Sequence, residues 1–371
     1  MVAMSIFDRK PALRWAAPLA FVAVVGGTTG IVATATADNT LPKLSAQDLL
    51  VKMQQADVDT FSGTVVQTSN LGIPDIPGMS SSDGTSMTSL LSGTHTLGVW
   101  YAGPDKARLQ IQGTNDESDV IVNGKDMWSW SYKANKATHR TLTAPSGDDH
   151  EARDLPADLP KTPQDAAKQA LAAITPTTEV TTEGSKSVAG IDTYELVLTP
   201  KDDNTKVSQV RIAVDGTRFV PLRVQVVAGQ EAPAFNVEYS KISFDRPDDS
   251  QFVFKAPPGA EVTEVAPKAG RPEGKAPTKK ELEARKAEAE KATKVVGSGW
   301  SSVVVSKMPA TDSGSEPNPM DQVLTSLPEV SGSWGKGRLL NGTAFAAVVT
   351  DDGRVAVGSV DPDLLYAALA K

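Results

Sequence analysis

The feature that most constrains the fold is a long series of short segments in which apolar and polar side chains alternate. Leu109 and Ile111 alternate with Arg108 and Gln110, for example. Because successive side chains of a strand point to opposite faces, each such segment predicts a strand with one buried face and one wet face. Roughly ten of these segments, joined by short turns such as Asn123-Gly124, predict a large antiparallel sheet.

Few helices are available to cover the apolar face of this sheet. Residues 45–57 predict one helix, with Ser45 as its N-cap. A second helix is predicted to begin at Thr162, with Leu171 and Ile174 on its apolar stripe. A sheet of this size must curl or split into two packed sheets. The sequence therefore leaves open a β-sandwich with a filled core and a curled sheet around a ligand cavity, and it favours the curled sheet.

An aromatic strand follows the Asn-Gly turn, in the stretch DMWSWSY at 126–132. Alternation predicts Trp128, Trp130 and Tyr132 on one face and two serines on the other. The aromatic side chains then either line a cavity or pack against the second predicted helix. In both interpretations the serines face solvent.

The N-terminal residues 1–37 resemble an export signal. Basic residues precede an apolar core, and Ala35-Thr36-Ala37 provides a small-residue cleavage site. The alternative is an uncleaved N-terminal membrane anchor, since weakly apolar residues continue to Ala37. Both alternatives predict an extracytoplasmic protein, either secreted or held in the cell envelope. The chain has no cysteine, so no disulfide stabilises the fold.

Composition and motifs argue against several functional classes. The net charge of −8 and the absence of a long basic run argue against nucleic-acid binding. His95, His139 and His150 lack the spacing of metal ligands, and no nucleotide-binding or nucleophile motif occurs. We therefore expect a protein without catalytic residues, metal or cofactor that acts by binding.

Two domains are expected in the mature chain. Residues 38–265 contain the strands of the large sheet, and 297–371 predict a small α+β domain. Residues 266–296 are rich in Pro, Lys and Glu and predict a solvated linker, part of it helical. A helix that docks on a partner is the alternative for this segment.

An insertion, Asn70 to Gly93, interrupts the first strands. Loops of this length are uncommon unless they are functional or disordered. The functional interpretation is a lid that plugs the cavity with apolar side chains, and the alternative is a disordered surface loop. The lid residues would be Leu71, Ile73, Ile76, Met79, Met87 and Leu90.

Four motifs, in this order and spacing, resemble the LolA/LolB/LppX-type periplasmic carrier superfamily. They also resemble the N-terminal domain of RseB-type envelope sensors. The resemblance covers roughly residues 40–262, whereas 297–371 looks like an extension of actinobacterial members. The motifs are VNGKDMWSWSYKANKATHR (122–140), VAGIDTYELVLTPK (188–201), VDGTRFVPLRVQVV (214–227) and YSKISFDRPDDSQFVFKAPPGAEV (239–262).

The resemblance implies an α+β fold, in which a curved antiparallel half-barrel is closed by helices and holds acyl chains in an apolar cavity. Two departures from the family pattern are the insertion at 70–93 and the lack of a match for the family's carrier arginine. Arg108 lies on an early strand, but its neighbours predict that it points outward. The lipoprotein-transfer mechanism is therefore not carried over to this chain.

The functional prediction is a carrier that binds a lipid or an acylated protein through apolar contacts. The alternative is an RseB-like envelope-stress regulator that binds an integral-membrane anti-sigma partner. The predicted cavity residues are Trp128, Trp130, Tyr132, Leu109, Ile111, Leu196, Ile212, Val224, Val226 and Val237.

Overall fold

The computed structural model describes residues 41–73, 85, 89–113, 115–142, 171, 174–184, 187–229, 232–265, 293–307 and 324–371. The export-signal prediction for 1–37 lies outside these residues. No helix among the described residues is long and apolar enough to cross a membrane.

Twelve strands form one large, curved, open sheet. Its order is β12-β6-β5-β4-β3-β2-β1-β11-β10-β9-β8-β7, and every neighbouring pair is antiparallel except β12 and β6, which run parallel. The strands are β1 (Thr60–Asn70), β2 (Ser92–Ala102), β3 (Lys106–Gln112), β4 (Glu117–Asn123), β5 (Asp126–Ser131), β6 (Lys136–Thr141), β7 (Thr178–Gly184), β8 (Thr193–Pro200), β9 (Val207–Asp215), β10 (Pro221–Ala228), β11 (Pro233–Ser243) and β12 (Glu261–Val265).

The first and eleventh strands join the two halves of this sheet. The register pairs Val65 with Tyr239 and shifts by one residue beside Thr64. Gly63 allows the close approach, because a Cβ there would lie 2.7 Å from the carbonyl oxygen of Lys241 and 2.8 Å from the Tyr239 ring.

Helix α1 (Ala46–Gln55) begins after Ser45, whose hydroxyl accepts a hydrogen bond from the Asp48 N–H, as the capping pattern predicts. Its Leu49 is fully buried in a cluster with Tyr194 and Leu196. Leu171 and Ile174, the described helical residues of the second predicted helix, pack on the same cluster. Helical side chains therefore cover the β7–β9 part of the sheet.

The two faces of the sheet differ in what covers them. We call the face that carries Leu97, Ile111 and Val237 the core face, because these residues belong to the main buried cluster. The opposite face carries the side chains of β5 that alternate with the core-facing ones. It is crossed by residues 245–260, which we call the strap.

The strap is anchored at several points on β3 to β6. Lys106 lies 3.1 Å from Asp249, and the Asn135 amide donates to the carbonyl oxygen of Gly259. The strap then continues into β12, so the last strand of the sheet lies beside β6. The β3–β6 part of the opposite face is therefore covered by chain from the end of the same domain.

Six further strands form a second antiparallel sheet, in the order β13-β14-β18-β17-β16-β15. Helix α2 (Pro362–Leu369) packs on it through Leu365, Ala368 and Leu369. The strands are β13 (Thr293–Val296), β14 (Val303–Lys307), β15 (Glu329–Gly332), β16 (Gly335–Asn341), β17 (Ala346–Thr350) and β18 (Arg354–Gly358). Residues 293–296 were expected to belong to the linker. They instead form strand β13, because all four residues pair with β14.

Trp300 joins the two sheets. It lies in a short 3-10 turn before β14, is 5% exposed, and packs with Val207, Ala228 and Ala234 of the large sheet. Its indole N–H donates to the Thr178 hydroxyl at 3.0 Å. The second sheet is thus docked through a buried aromatic anchor.

We expect Trp300→Ala to destabilise the protein by about 3–5 kcal/mol, because it removes a large buried side chain from the contact between the sheets. Trp300→Phe should cost less, since it keeps most of the ring and loses the hydrogen bond to Thr178. Denaturant unfolding of the purified protein measures both effects. Val357→Thr, at a 38% exposed position of β18, is the control and should change stability by less than about 0.5 kcal/mol. Equal stability of Trp300→Ala and the control would contradict the docking role.

Candidate ligand-binding site

Seven of the predicted cavity residues lie on the core face. In an antiparallel pair, residues directly opposite each other project to the same side. The register pairs Leu97 with Ile111 and Ile212 with Val224, and Val224 with Val237. The seven residues on this face are Leu109, Ile111, Leu196, Ile212, Val224, Val226 and Val237.

These seven residues do not all border one space. Leu196 and Ile212 pack beneath α1, and Val224 and Val237 are buried in the main cluster. Val226 packs with Trp300 at the contact between the sheets. Only the two residues on β3 also border the pocket described below.

The aromatic residues of β5 do not share a face with these seven, although Trp130 is among the residues that border the pocket described below. Leu109 pairs with Val120 and Val120 with Ser129, so the serine lies on the core face. Trp130 pairs with Asp119 and therefore lies on the opposite face, as does Trp128. The alternation of side chains along β5 was predicted correctly. The tryptophans, however, were predicted on the face that the serines occupy.

The strap covers both tryptophans. The Phe254 ring centroid lies 5.0 Å from that of Trp128 and 5.8 Å from that of Trp130. Trp130 is 8% exposed. Tyr132, in contrast, lies beyond the end of β5 and is 63% exposed.

A pocket of about 290 Å³ opens on the core face of β3 to β6. Leu109, Ile111 and Val120 give it an apolar floor. On β4 to β6 the pocket is also bordered by Asp119 and Trp130 and by hydroxyl-bearing residues and one lysine: Ser118, Ser129, Ser131, Thr138 and Lys136. Sequence reasoning missed these polar residues because it assigned the serines of the aromatic strand to solvent.

One residue of the insertion also borders this pocket. Thr85 is 3% exposed, donates to the Asp116 carboxylate at 2.7 Å and accepts from the Ser118 hydroxyl. The insertion therefore reaches the pocket, which bears on the lid hypothesis without testing it.

The predicted lid residues fall into two groups. Leu71 packs at the contact between the two sheets, Ile73 is half-buried, and Leu90 packs on the main cluster. Ile76, Met79 and Met87 lie outside the described residues. The lid stays a prediction.

Arg108 lies on the strap face, as its alternation predicted. Its guanidinium donates to the buried Asp119 carboxylate at 2.7 Å and lies over the Trp100 ring. A hydrogen bond with Asp119, together with burial, raises the pKa of the nearby Glu117 carboxyl. The ion pair satisfies both charges under the strap, and Asp119 is also among the residues that border the pocket.

His139 ties β12 to the sheet. Its ring stacks on Trp128 at 4.3 Å between centroids, and its two nitrogens contact Asp126 at 2.9 Å and Glu264 at 2.7 Å. The hydrogen bond with Asp126 raises the pKa of His139, and the Glu264 carboxylate adds to this effect. The expectation of a satisfied polar histidine fits this geometry. Among the described residues, no three His, Cys, Asp or Glu side chains are grouped as metal ligands would be.

We expect Trp130→Ala to destabilise the protein by about 3–5 kcal/mol, because it removes the buried partner of Phe254. Tyr132→Ala, on the same strand but exposed, should change stability by less than about 0.5 kcal/mol. Chemical denaturation followed by circular dichroism measures both. A stable Trp130→Ala protein would show that the strap does not depend on this contact.

We expect the stability contributed by His139 to depend on pH. The folded-state pKa is raised above the ordinary value of 6.5, so the contribution is complete below that pH and is lost as pH rises through the folded-state pKa. His139→Gln should therefore destabilise the protein more at about pH 5.5 than at about pH 8.5. Thermal unfolding at both pH values measures the difference. In a background that carries Asp126→Asn and Glu264→Gln, the difference should shrink, and an unchanged difference would assign it to other groups.

Comparisons with known proteins agree with the resemblance seen in the sequence. A family model described as "Predicted periplasmic protein (DUF2092)" matches residues 84–266. No curated protein matches the chain.

Several solved structures are similar to the chain. One is the MucA/MucB complex of Pseudomonas aeruginosa, with 15% identity, 87% of this chain and 96% of that chain covered, and a TM-score of 0.42. Another is a LolA superfamily protein from Nitrosomonas europaea, with 15% identity, 57% of this chain and 99% of that chain covered, and a TM-score of 0.21. Structures of both kinds that the sequence resembles, MucB/RseB and LolA superfamily proteins, are thus among those to which this chain is similar.

Proposed function

We propose that this protein is an extracytoplasmic carrier that holds an acyl chain of a lipid, or of an acylated protein, against the core face of its large sheet. It acts by binding and not by catalysis. In this proposal the sheet is a LolA-like half-barrel, with α1 and the second predicted helix closing the β7–β9 side.

The observation that carries the proposal is the pocket on β3 to β6 with its floor of Leu109, Ile111 and Val120. These side chains continue the apolar surface of the main cluster, since Leu109 packs on that cluster and Ile111 belongs to it. The pocket thus extends a buried apolar surface toward the outside of the domain.

An alkyl chain suits such a floor better than a polar substrate. Burial of each CH₂ group contributes about 0.8 kcal/mol without demanding a fixed direction, so chains of different structure are accepted. Small-molecule pockets are usually about 300–1,000 Å³, and a volume of about 290 Å³ suits one short chain or one segment of a longer chain.

Two observations support an extracytoplasmic location. The matching family model describes a periplasmic protein, and the basic and apolar pattern of residues 1–37 resembles an export signal. A carrier that exposes an apolar pocket to water is useful where lipid must cross an aqueous space between membranes or layers of the envelope.

A regulator that binds an integral-membrane partner is the second candidate. The contact between the sheets favours it, because the second sheet touches the base of the insertion that borders the pocket. The Thr343 N–H donates to the carbonyl oxygen of Leu71 at 2.7 Å, and Leu71 packs in the Trp300 cluster. Occupancy of the pocket could then be transmitted to a partner-binding surface on the second sheet.

The test begins with the protein purified from its own cells without detergent. Organic extraction followed by mass spectrometry should release acyl-chain compounds at a near-stoichiometric amount. The regulator would be favoured if the purified protein held no such compound and an integral-membrane protein co-purified with it.

We expect Val120→Trp to fill the pocket and to lower both the extracted amount and the affinity for a fluorescent fatty acid by at least about tenfold, the effect of about 1.4 kcal/mol. Val262→Trp adds the same bulk at a 43% exposed position of β12, outside the pocket, and should bind like the wild type. Equal binding by the two variants would contradict the placement of the ligand.

A further inference from the structure

The pocket changes in chemical character across the sheet, and the register makes this change regular. One cross-strand row runs Val99, Leu109, Val120, Ser129 and Thr138 from β2 to β6. The neighbouring row of the same face runs Leu97, Ile111, Ser118, Ser131 and Lys136. Both rows pass from branched aliphatic side chains to hydroxyl groups, and the second ends at an ammonium group.

Such a gradient matches a ligand with two different ends. Aliphatic side chains on β2 and β3 can cover only an apolar segment, because they offer no hydrogen bond to a polar group. The hydroxyl groups of Ser129 and Thr138 are half-buried and can donate to acceptor oxygens. A ligand that lies along the rows therefore has its chain toward β2 and its oxygen-bearing end toward β6.

Lys136 gives the β6 end of the pocket a positive charge. Its ammonium group is exposed and lies 3.0 Å from the Glu261 carboxylate, which is also exposed. An exposed pair of this kind contributes little free energy and exchanges readily with other partners. Lys136 can therefore direct one of its three N–H donors to an anion in the pocket while Glu261 stays in solvent.

The carboxylates nearby are already engaged by other groups. Asp116 accepts from the Thr85 hydroxyl and from two backbone N–H groups. Asp119, which borders the pocket, is 3% exposed and is paired with Arg108 on the strap face. Because the whole chain carries a charge of −8, its general field repels an anion, and any preference for one must come from a local cation.

We infer that the pocket selects amphiphiles with an anionic oxygen head group, phosphate or carboxylate, which Lys136 and the hydroxyls of β5 and β6 bind while the chain lies toward β2 and β3. This inference rests on the proposed function and specifies its ligand class. It names Lys136, Ser129 and Thr138 as the residues that determine specificity.

The test compares two probes with the same chain and opposite charge, n-dodecyl phosphate and n-dodecyltrimethylammonium, below their micelle concentrations. Each is titrated into the full chain by calorimetry. The wild type should bind the phosphate more tightly by about tenfold or more, the effect expected of a hydrogen bond between charged groups.

Three variants test the named residues. Lys136→Gln should remove most of the preference, and the Ser129→Ala, Thr138→Val double variant should reduce phosphate binding by about fivefold. Glu261→Gln should instead increase phosphate binding, because it removes the competing carboxylate of Lys136. Two opposite effects at one ion pair would not arise from a loss of folding stability, which thermal unfolding checks directly.

Lys125→Gln is the matched control. It removes one positive charge in the β4–β5 turn, at the other end of β5 from Ser131, the residue that pairs with Lys136, and should keep the wild-type preference. Equal affinity for both probes in the wild type, unaffected by Lys136→Gln, would overturn this inference and leave the proposed function standing. Binding of neither probe, with no effect of Val120→Trp on any chain-bearing ligand, would overturn both.

Discussion

The large sheet depends on the pairing of its first strand with its eleventh. Strands β1 to β6 and strands β7 to β11 are each a run of neighbours along the chain, and the β1–β11 ladder alone makes them one surface. This ladder closes a loop of about 170 residues, so it is a slow and costly step of folding. Gly63 leaves room for the Lys241 carbonyl oxygen, and the register shift beside it pairs Val65 with Tyr239 on the same side. The continuity of the core face, and with it the pocket, follows from this one register.

Much of the sheet could be predicted from the sequence because its information is local. The Asn123-Gly124 turn, the alternation of β8 to β11 and the cap at Ser45 are each decided by a few neighbouring residues. The family resemblance added the expectation of a curved open sheet. Strand β12 could not be predicted in this way. It has only five residues, three of them polar, and its pairing partner β6 lies far away in the chain.

The site was predicted in part, and the error has a definite physical origin. Alternation tells which side chains share a face, but it does not tell which face a later segment will cover. The tryptophans of β5 were assigned to the interior because large aromatic groups are usually buried. Trp130 is buried and Trp128 is half-buried, yet both pack against Phe254 of the strap and not against the core of the sheet. The serines on the same strand consequently border the pocket, which gives it a polar end that hydrophobicity alone would not suggest.

The two edge strands of the large sheet share a property that concerns the protein at high concentration. An edge strand presents unpaired backbone groups that can pair with another molecule and begin aggregation. Strand β12 carries Glu261 and Glu264, and strand β7 carries Glu179 and Glu183. When two copies approach edge to edge, these carboxylates meet like charges, and the net charge of −8 adds to the repulsion. The charges on both edges thus keep an open sheet from continuing into a neighbouring molecule.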